Sequence, residues 1–357
     1  MSKIKVMIVD DSAIVREILT QKLSRDSRLE IVGSAADPYI ARDKLEKTEV
    51  DVILLDIEMP RMDGLTFLQR LMQQLPLPVI IVSSLAKDHN DAAMKALELG
   101  AVDVVPKPGG PFSVEEVIPY LTERIIAAKH ANIKKIKERL EMKAAEPLSA
   151  AKKKDKASGY LSAIQTTNKL ITVGASTGGT QAMEALFANW QPDFPPTLAV
   201  IHMPERFTAT FASRLNDICP VNVKEAVNGE RLSGGTIYIA PGNYHMLLRA
   251  QGTERSIKVV SGPKVCNQRP AVDPLFESVA AIAGKNCIAL LLTGMGKDGA
   301  TGLLKIKNSG GYTIAQDEKS SIVWGMPKEA IDLGAASVVL PLDGMVNHIK
   351  GRLNREW

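Results

Sequence analysis

The sequence predicts an α/β protein built from two doubly wound units joined by a polar linker. Three observations carry that expectation. Short runs of branched apolar residues recur along the chain, each ending in a turn and followed by helical periodicity, the alternation of a parallel sheet with its crossover helices. At 357 residues the chain is long for a single hydrophobic core. Between 128 and 167 the alternation gives way to a basic stretch rich in Ala, Lys and Ser. The expected division is therefore 1–127, a helical extension and linker over 128–167, and a second unit over 168–357.

Composition excludes several classes. With 45% hydrophobic and 24% charged residues, the chain has the balance of a globular protein and not of a disordered one. Its apolar stretches fall short of the roughly 18 residues of a membrane span, so no membrane insertion is expected. Met-Ser-Lys-Ile-Lys leads directly into a strand pattern, unlike a signal peptide. Cys219, Cys266 and Cys287 are odd in number and widely spaced, which argues against a disulfide framework or zinc site. The expected compartment is the cytoplasm. The net charge of +4 is local: residues 129–156 hold ten Lys/Arg and four Asp/Glu, so the rest carries −2. Neither unit offers a basic face, and no direct nucleic acid partner is expected.

In the first unit, apolar strands are expected at 4–9, 29–35, 52–55, 79–82 and 103–105, with helices between them. Ser12 can cap the first helix. Ligands of such a sheet bind at the carboxyl ends of its strands, where Asp10, Asp11, Asp56, Ser83 and Lys107 all fall. Facing carboxylates repel one another, and a hard divalent cation such as Mg²⁺ relieves the repulsion. A metal-bridged Asp56 could attack a phosphoryl donor while Ser83 and Lys107 hold the transferred oxygens. Taken singly, these acids read as helix caps and the lysine as a surface charge. Five such residues at strand ends favour the chemical reading.

Ile-Val-Asp-Asp-Ser (8–12), Leu-Leu-Asp-Ile-Glu-Met-Pro-Arg-Met-Asp-Gly (54–64) and Pro-Lys-Pro (106–108) resemble the receiver domain of two-component response regulators. The resemblance covers about 125 residues and implies a flavodoxin-like five-stranded parallel sheet. It also implies phosphorylation of Asp56 by a histidine kinase, with Mg²⁺ held by Asp10, Asp11, Asp56 and the Glu58 carbonyl. Val104 stands where many receivers carry an aromatic switch residue.

From Ser113 an apolar pattern runs on to Leu140 and predicts a last helix continuing outward, solvated and basic. Residues 144–165 lose periodicity and read as a hinge.

The second unit opens with Val-Gly-Ala-Ser-Thr-Gly-Gly (173–179), an apolar strand, a tight turn with Ser176 at its apex, then a helix. Such a turn exposes a nucleophile and aims backbone N–H groups at the same space, but alone it reads equally as a phosphate cradle. His202 follows the strand at 196–201, and Asp298 follows the most apolar strand, at 286–292. Singly, His202 could close a strand and Asp298 cap a helix. Together with Ser176 they have the types that nucleophilic catalysis needs: a serine, a base, and an acid that fixes the base. Their order, Ser…His…Asp, differs from that of α/β-hydrolases. Met295, in a Gly-Met-Gly turn, could offer its N–H to an oxyanion beside Thr177. His245 and His89 are weaker base candidates, placed in a hairpin region and a loop.

The run 173–179, Ile-His-Met-Pro (201–204), Asn-Gln-Arg-Pro-Ala-Val-Asp-Pro-Leu-Phe (267–276) and Leu-Thr-Gly-Met-Gly-Lys-Asp-Gly (292–299) resemble the catalytic domain of the chemotaxis protein-glutamate methylesterases, over roughly 168–350. The resemblance implies a doubly wound, mostly parallel esterase domain with Ser176 as nucleophile, His202 as base and Asp298 as orienter. Arg269 is implied as a substrate-positioning residue, and no cofactor is expected in this unit. The implied substrate is a glutamate methyl ester on the cytoplasmic helices of methylated chemoreceptors, with receptor glutamines deamidated by the same chemistry. The alternative, a response regulator with a nucleotide- or ligand-binding output, would leave His202 and Asp298 without a task.

Overall fold

Runs of valine, isoleucine and leucine form the central strands of both units because those strands are covered on both faces, the environment of parallel sheets. The computed structural model describes residues 2–84, 87–109, 113–145, 168–252 and 254–354. The chain divides into Met1–Pro147 and Leu148–Trp357. From residue 146 on, the expected hinge lies outside the described residues.

The first unit holds β1 (Ile4–Val9), α1 (Ala13–Leu23), β2 (Leu29–Ala35), α2 (Pro38–Leu45), β3 (Val52–Leu55), α3 (Gly64–Gln74), β4 (Val79–Ser83), α4 (Lys87–Glu98), β5 (Asp103–Pro106) and α5 (Val114–Lys129). Its sheet order is β2-β1-β3-β4-β5, parallel throughout. Capping is explicit in the sequence: Ser12 accepts from Val15 N–H, Asp37 precedes Pro38, and Ser113 with Glu116 forms a capping box. His89, expected in a loop, falls within α4.

The last helix does not run outward as the apolar pattern suggested. α5 closes with backbone turns from His130 and Ala131 back to Ala127 and Ala128. Asn132 Oδ1 then accepts from Lys135 N–H, and α6 (Ile133–Ala145) begins. Ile136 is only 4% exposed. It and Leu140, one turn apart, lie over Gly100, where a Cβ would stand 3.3 Å from Ile136 and 3.0 Å from Leu140. An apolar pair one turn apart stays dry where a neighbour leaves room, and Gly100 leaves it.

The second unit is a seven-stranded parallel sheet in the order β14-β13-β12-β6-β7-β9-β8. Its first half carries β6 (Leu170–Ala175), α7 (Gly179–Phe187), β7 (Thr197–Ile201), α8 (Phe207–Ile218), β8 (Asn222–Glu225) and β9 (Thr236–Ile239). An antiparallel hairpin follows, β10 (His245–Gln251) and β11 (Glu254–Val260). The second half carries α9 (Val272–Ile282), β12 (Cys287–Leu291), α10 (Ala300–Asn308), β13 (Tyr312–Gln316), α11 (Met326–Asp332), β14 (Val338–Leu340) and α12 (Met345–Leu353). α9 lies close against the sheet: a Cβ on Gly174 would stand 2.4 Å from Val272 Cγ1. No described helix is long and apolar enough to cross a membrane.

The buried Ile136 gives a test of the α6 packing. Ile136→Ala should lower the stability of the first unit by about 2 kcal/mol or more in denaturant unfolding. A change within about 0.5 kcal/mol, the norm for a solvated position, would show that α6 stands free.

Candidate functional site

At the centre of the second sheet, β6 runs between β12 and β7. Leu291 pairs with Gly174, and Ala175 with Ile201. The residues leaving these strands therefore emerge side by side on one edge. Ser176 N–H donates to Thr293 O at 3.0 Å and His202 N–H to Ala175 O at 3.2 Å, which locks both turns to neighbouring strands. Ser176 and His202 are buried. The 292–299 loop passes over Ser176 because residue 294 has no side chain: a Cβ there would stand 2.7 Å from Ser176 Cβ and 2.3 Å from Met326 Sδ. Thr293 fixes the loop, its N–H donating to Gln316 Oε1 (2.7 Å) and its hydroxyl accepting from Val323 N–H (2.9 Å).

His202 Nε2 lies 2.7 Å from Asp298 Oδ2, with both groups buried. Asp298 Oδ2 also accepts from Val272 N–H at 2.6 Å, and its Oδ1 accepts from Asp273 N–H at 3.0 Å. These amides open α9, whose N-cap, Ala271, has no side chain that could satisfy them. Asp298 thus sits at the positive end of that helix. It does not cap the helix it precedes, since the N-cap of α10 is Gly299. Burial alone would raise the Asp298 carboxyl, but the bonds from His202, Val272 and Asp273 outweigh it and hold the group below its ordinary value. An ionised carboxylate only accepts hydrogen bonds, so Nε2 of His202 donates to it, and in the neutral ring Nδ1 is the nitrogen with the lone pair. This side chain can act as a base through Nδ1.

Thr177 is buried, with its carbonyl 3.0 Å from the Thr293 hydroxyl. Met295 follows Gly294 directly over Ser176, and no hydrogen bond among the described residues takes up its N–H. Arg269 is half-buried; its Nε and Nη2 donate to Asn243 Oδ1 (3.1 and 2.6 Å) and its Nη1 to Gly262 O (2.6 Å). Two donor atoms of this guanidinium thus hold the Asn243 turn, and the third holds the Gly262 carbonyl. Asp273 accepts from Gly302 N–H at 2.7 Å, and burial pushes its carboxyl up to about 6. Ligand atoms of Cys266, Asp273 and Asp298 lie within 4.8 Å of one another, but a metal there would compete with the bonds that Asp298 already makes.

In the first unit, the strand ends bring the expected acids together. Carboxylate oxygens of Asp10, Asp11 and Asp56 lie within 4.8 Å of one another. Lys107 Nζ is 3.0 Å from Asp10 Oδ2 and 2.7 Å from Asp56 Oδ2. The second contact is an ion pair without hydrogen-bond geometry, so the buried Asp56 Oδ2 lacks a directed donor. Burial pushes the Asp56 carboxyl up to about 6 against the pull of Lys107, and raises Asp10 as well. Ser83 is buried at the end of β4, next to the Lys107 backbone, whose N–H donates to Ser83 O at 2.9 Å. Glu58, exposed, contributes its backbone beside Asp56.

The residues that the sequence left unmarked are backbone donors. The Val272 and Asp273 amides carry no side-chain signal, although they fall in the 267–276 run. His245, considered as a base, lies in β10 with both ring nitrogens engaged, by Ala271 N–H and Pro263 O.

Residues 171–349 match the CheB methylesterase family, and residues 6–118 match the response regulator receiver domain. The chain is 49% identical over 349 residues to protein-glutamate methylesterase/protein-glutamine glutaminase 2 of Syntrophus aciditrophicus, covering 98% of this chain and 99% of that protein. It is 47% identical to protein-glutamate methylesterase/protein-glutamine glutaminase of Sulfurimonas denitrificans, with 96% of each covered. Among solved structures, the CheB methylesterase catalytic domain of Thermotoga maritima superposes with a TM-score of 0.51 at 39% identity, covering 52% of this chain and 98% of that one.

The strained charge at Asp56 has a consequence for stability. A carboxyl raised to about 6 holds its proton more tightly folded than unfolded. Its contribution is most favourable at low pH and is lost as pH rises from about 4 through 6. Asp56→Asn should therefore stabilise the first unit at pH 7.5 by about 1–3 kcal/mol, with the gap closing as pH falls towards 4. Equal thermal midpoints for both proteins at pH 7.5 would show that Lys107 already offsets the buried charge.

Proposed function

The chain belongs to the CheB methylesterase family, and from that membership we infer that it is the phosphorylation-regulated hydrolase of chemotaxis that removes methyl groups from glutamate methyl esters of chemoreceptors and deamidates receptor glutamines. The observation that carries the reading is the alignment of Ser176 and His202 at paired strand ends, with His202 Nε2 bonded to the buried Asp298. A ligand-binding output domain gives that pair no task.

We assign Ser176 as nucleophile, His202 as base and Asp298 as orienter. Ser176 Oγ attacks the ester carbonyl while His202 Nδ1 takes its proton, and Asp298, kept ionised by the α9 amides, stabilises the imidazolium. The Met295 and Thr177 N–H groups are assigned to the oxyanion. Collapse of the tetrahedral intermediate returns the proton to the leaving oxygen and releases methanol, leaving an acyl-serine. Water, deprotonated by His202, then releases the glutamate carboxylate and restores Ser176. For a glutamine the leaving group is ammonia and the steps are the same. Arg269 is assigned to positioning, through the Asn243 turn that it holds. The assigned substrate glutamates lie on cytoplasmic receptor helices, so the assigned compartment is the cytoplasm.

A receiver domain takes its phosphoryl group from a histidine kinase, and Asp56 is assigned as the acceptor. The residues fit a hard divalent ion: three clustered carboxylates, two of them raised by burial, and a buried oxygen on Asp56 without a directed donor. Asp10, Asp11, Asp56 and the Glu58 carbonyl would hold Mg²⁺, which would neutralise charge on the incoming phosphoryl group. Lys107 and the Ser83 hydroxyl are assigned to the transferred oxygens.

A receptor helix peptide bearing a methyl glutamate, with methanol as readout, tests the site. Ser176→Ala and His202→Ala should each abolish turnover, and the double variant should be scarcely worse, because the residues act as a unit. Asp298→Asn should lower kcat by on the order of 10⁴, the loss the analogous change causes in serine proteases. Turnover by Ser176→Ala at the parent rate would remove the serine mechanism.

Regulation is assigned to inhibition by the receiver, relieved by phosphorylation; the tether between the units keeps the inhibitor at high effective concentration. A chain beginning near Leu161 should outpace the unphosphorylated full-length protein. Asp56→Asn should stay at the resting rate after a small phosphodonor and Mg²⁺ are added. A truncated chain no faster than the resting protein would show that the receiver does not restrain the esterase.

A further inference from the structure

His245 is buried at the first position of β10 and takes no part in the chemistry assigned above. Its two ring nitrogens face groups of opposite character. Nε2 lies 3.0 Å from the Pro263 carbonyl, which can only accept; Nδ1 lies 3.2 Å from the Ala271 N–H, which can only donate. Both contacts are satisfied at once only by the neutral ring with its proton on Nε2. The imidazole is therefore set in one tautomer by its surroundings.

What Nδ1 holds is the start of α9. Every helix begins with N–H groups that have no partner inside it, and the N-cap here, Ala271, supplies no acceptor of its own. Three successive amides find theirs elsewhere: Ala271 on His245 Nδ1, Val272 on Asp298 Oδ2, and Asp273 on Asp298 Oδ1. Asp298 Oδ2 is also the atom that receives His202 Nε2. The carboxylate can face His202 correctly only while the two amides are aimed at it, and the residue just before them is pinned by His245. The rest of α9 has other ties to this strand and to α10, such as Leu248 N–H on Ser278 Oγ and Gly302 N–H on Asp273 Oδ1. Losing His245 Nδ1 should therefore shift the first turn without unseating the helix.

We propose that His245 is a positioning residue for the hydrolysis: through Nδ1 it anchors Ala271, and so directs the Val272 and Asp273 amides onto Asp298 and orients His202. The proposal rests on the assignment of Asp298 and His202 above. It concerns kcat, because the groups displaced touch the base and not the bound substrate.

The test compares substitutions that keep one ring contact at a time, in the full-length chain treated with phosphodonor and Mg²⁺. An asparagine amide oxygen reaches the place of Nδ1, whereas a glutamine amide reaches that of Nε2. His245→Gln and His245→Leu should lower kcat for methanol release by about 10- to 100-fold, the scale of an ångström-sized misplacement, with KM changed by less than about twofold. His245→Asn should recover most of that loss, and thermal midpoints confirm that the variants compared are folded. If His245→Leu does not fold, the Asn and Gln proteins still decide. Equal kcat for Asn and Gln, a loss confined to KM, or a parent rate in His245→Leu would overturn the proposal. Ser176→Ala, run beside them, reports on the serine assignment separately.

Discussion

A carboxylate taken out of water must be met by donors, or it takes up a proton. Asp298 is met three times, by one imidazole and two helix amides, and much of the second unit's architecture follows from that requirement. α9 must begin where Asp298 ends, so it lies close enough to β6 that residue 174 has no room for a side chain. The 292–299 loop must carry Asp298 past Ser176, so residue 294 is bare as well. The bond to Asp298 then decides which nitrogen of His202 faces away from the acid. In the serine proteases the acid takes Nδ1; here it takes Nε2.

The two units bury acids at strand ends and treat them oppositely. Asp298 is held below its ordinary value by directed donors, while Asp56 is raised to about 6 because the Lys107 ammonium and the Glu58 backbone do not offset its burial. Burial pushes both upward, so it does not separate them; the number and aim of the N–H groups does. A satisfied carboxylate suits a residue that must stay charged through every cycle. A poorly satisfied one suits a residue whose charge is to be rearranged, since any event that engages the oxygen lacking a donor relieves a standing strain.

Much of this was legible because buried parallel strands are apolar runs, and the polar residue that ends each one stands out. Asp10, Asp56, Ser83, Ser176 and His202 were placed at strand ends on that pattern, and they lie there. Asp298, some residues beyond its strand, stood out jointly with Ser176 and His202 as the acid such a pair needs. What the pattern could not show depends on the third dimension. The break before α6 falls at His-Ala-Asn, without proline or glycine, and only the bare surface at Gly100 explains why Ile136 turns inward. The clamp on Asp298 uses main-chain amides, which every residue possesses. His245 reads as one more histidine until both of its nitrogens are seen to be occupied.

The connectivity of the central strands also bears on when the site comes into being. β6 and β7 are neighbours in sequence as well as in space, but Asp298 meets His202 across 96 residues, and its strand must insert between β6 and β13. Contacts so distant in sequence carry a larger loop-closure entropy than the local pairings. A nascent or partly unfolded chain can therefore display the Ser176 turn and the His202 strand without the acid that fixes the ring. No stretch of the chain shorter than 176–298 holds all three side chains, so the site belongs to the assembled sheet and to no local motif.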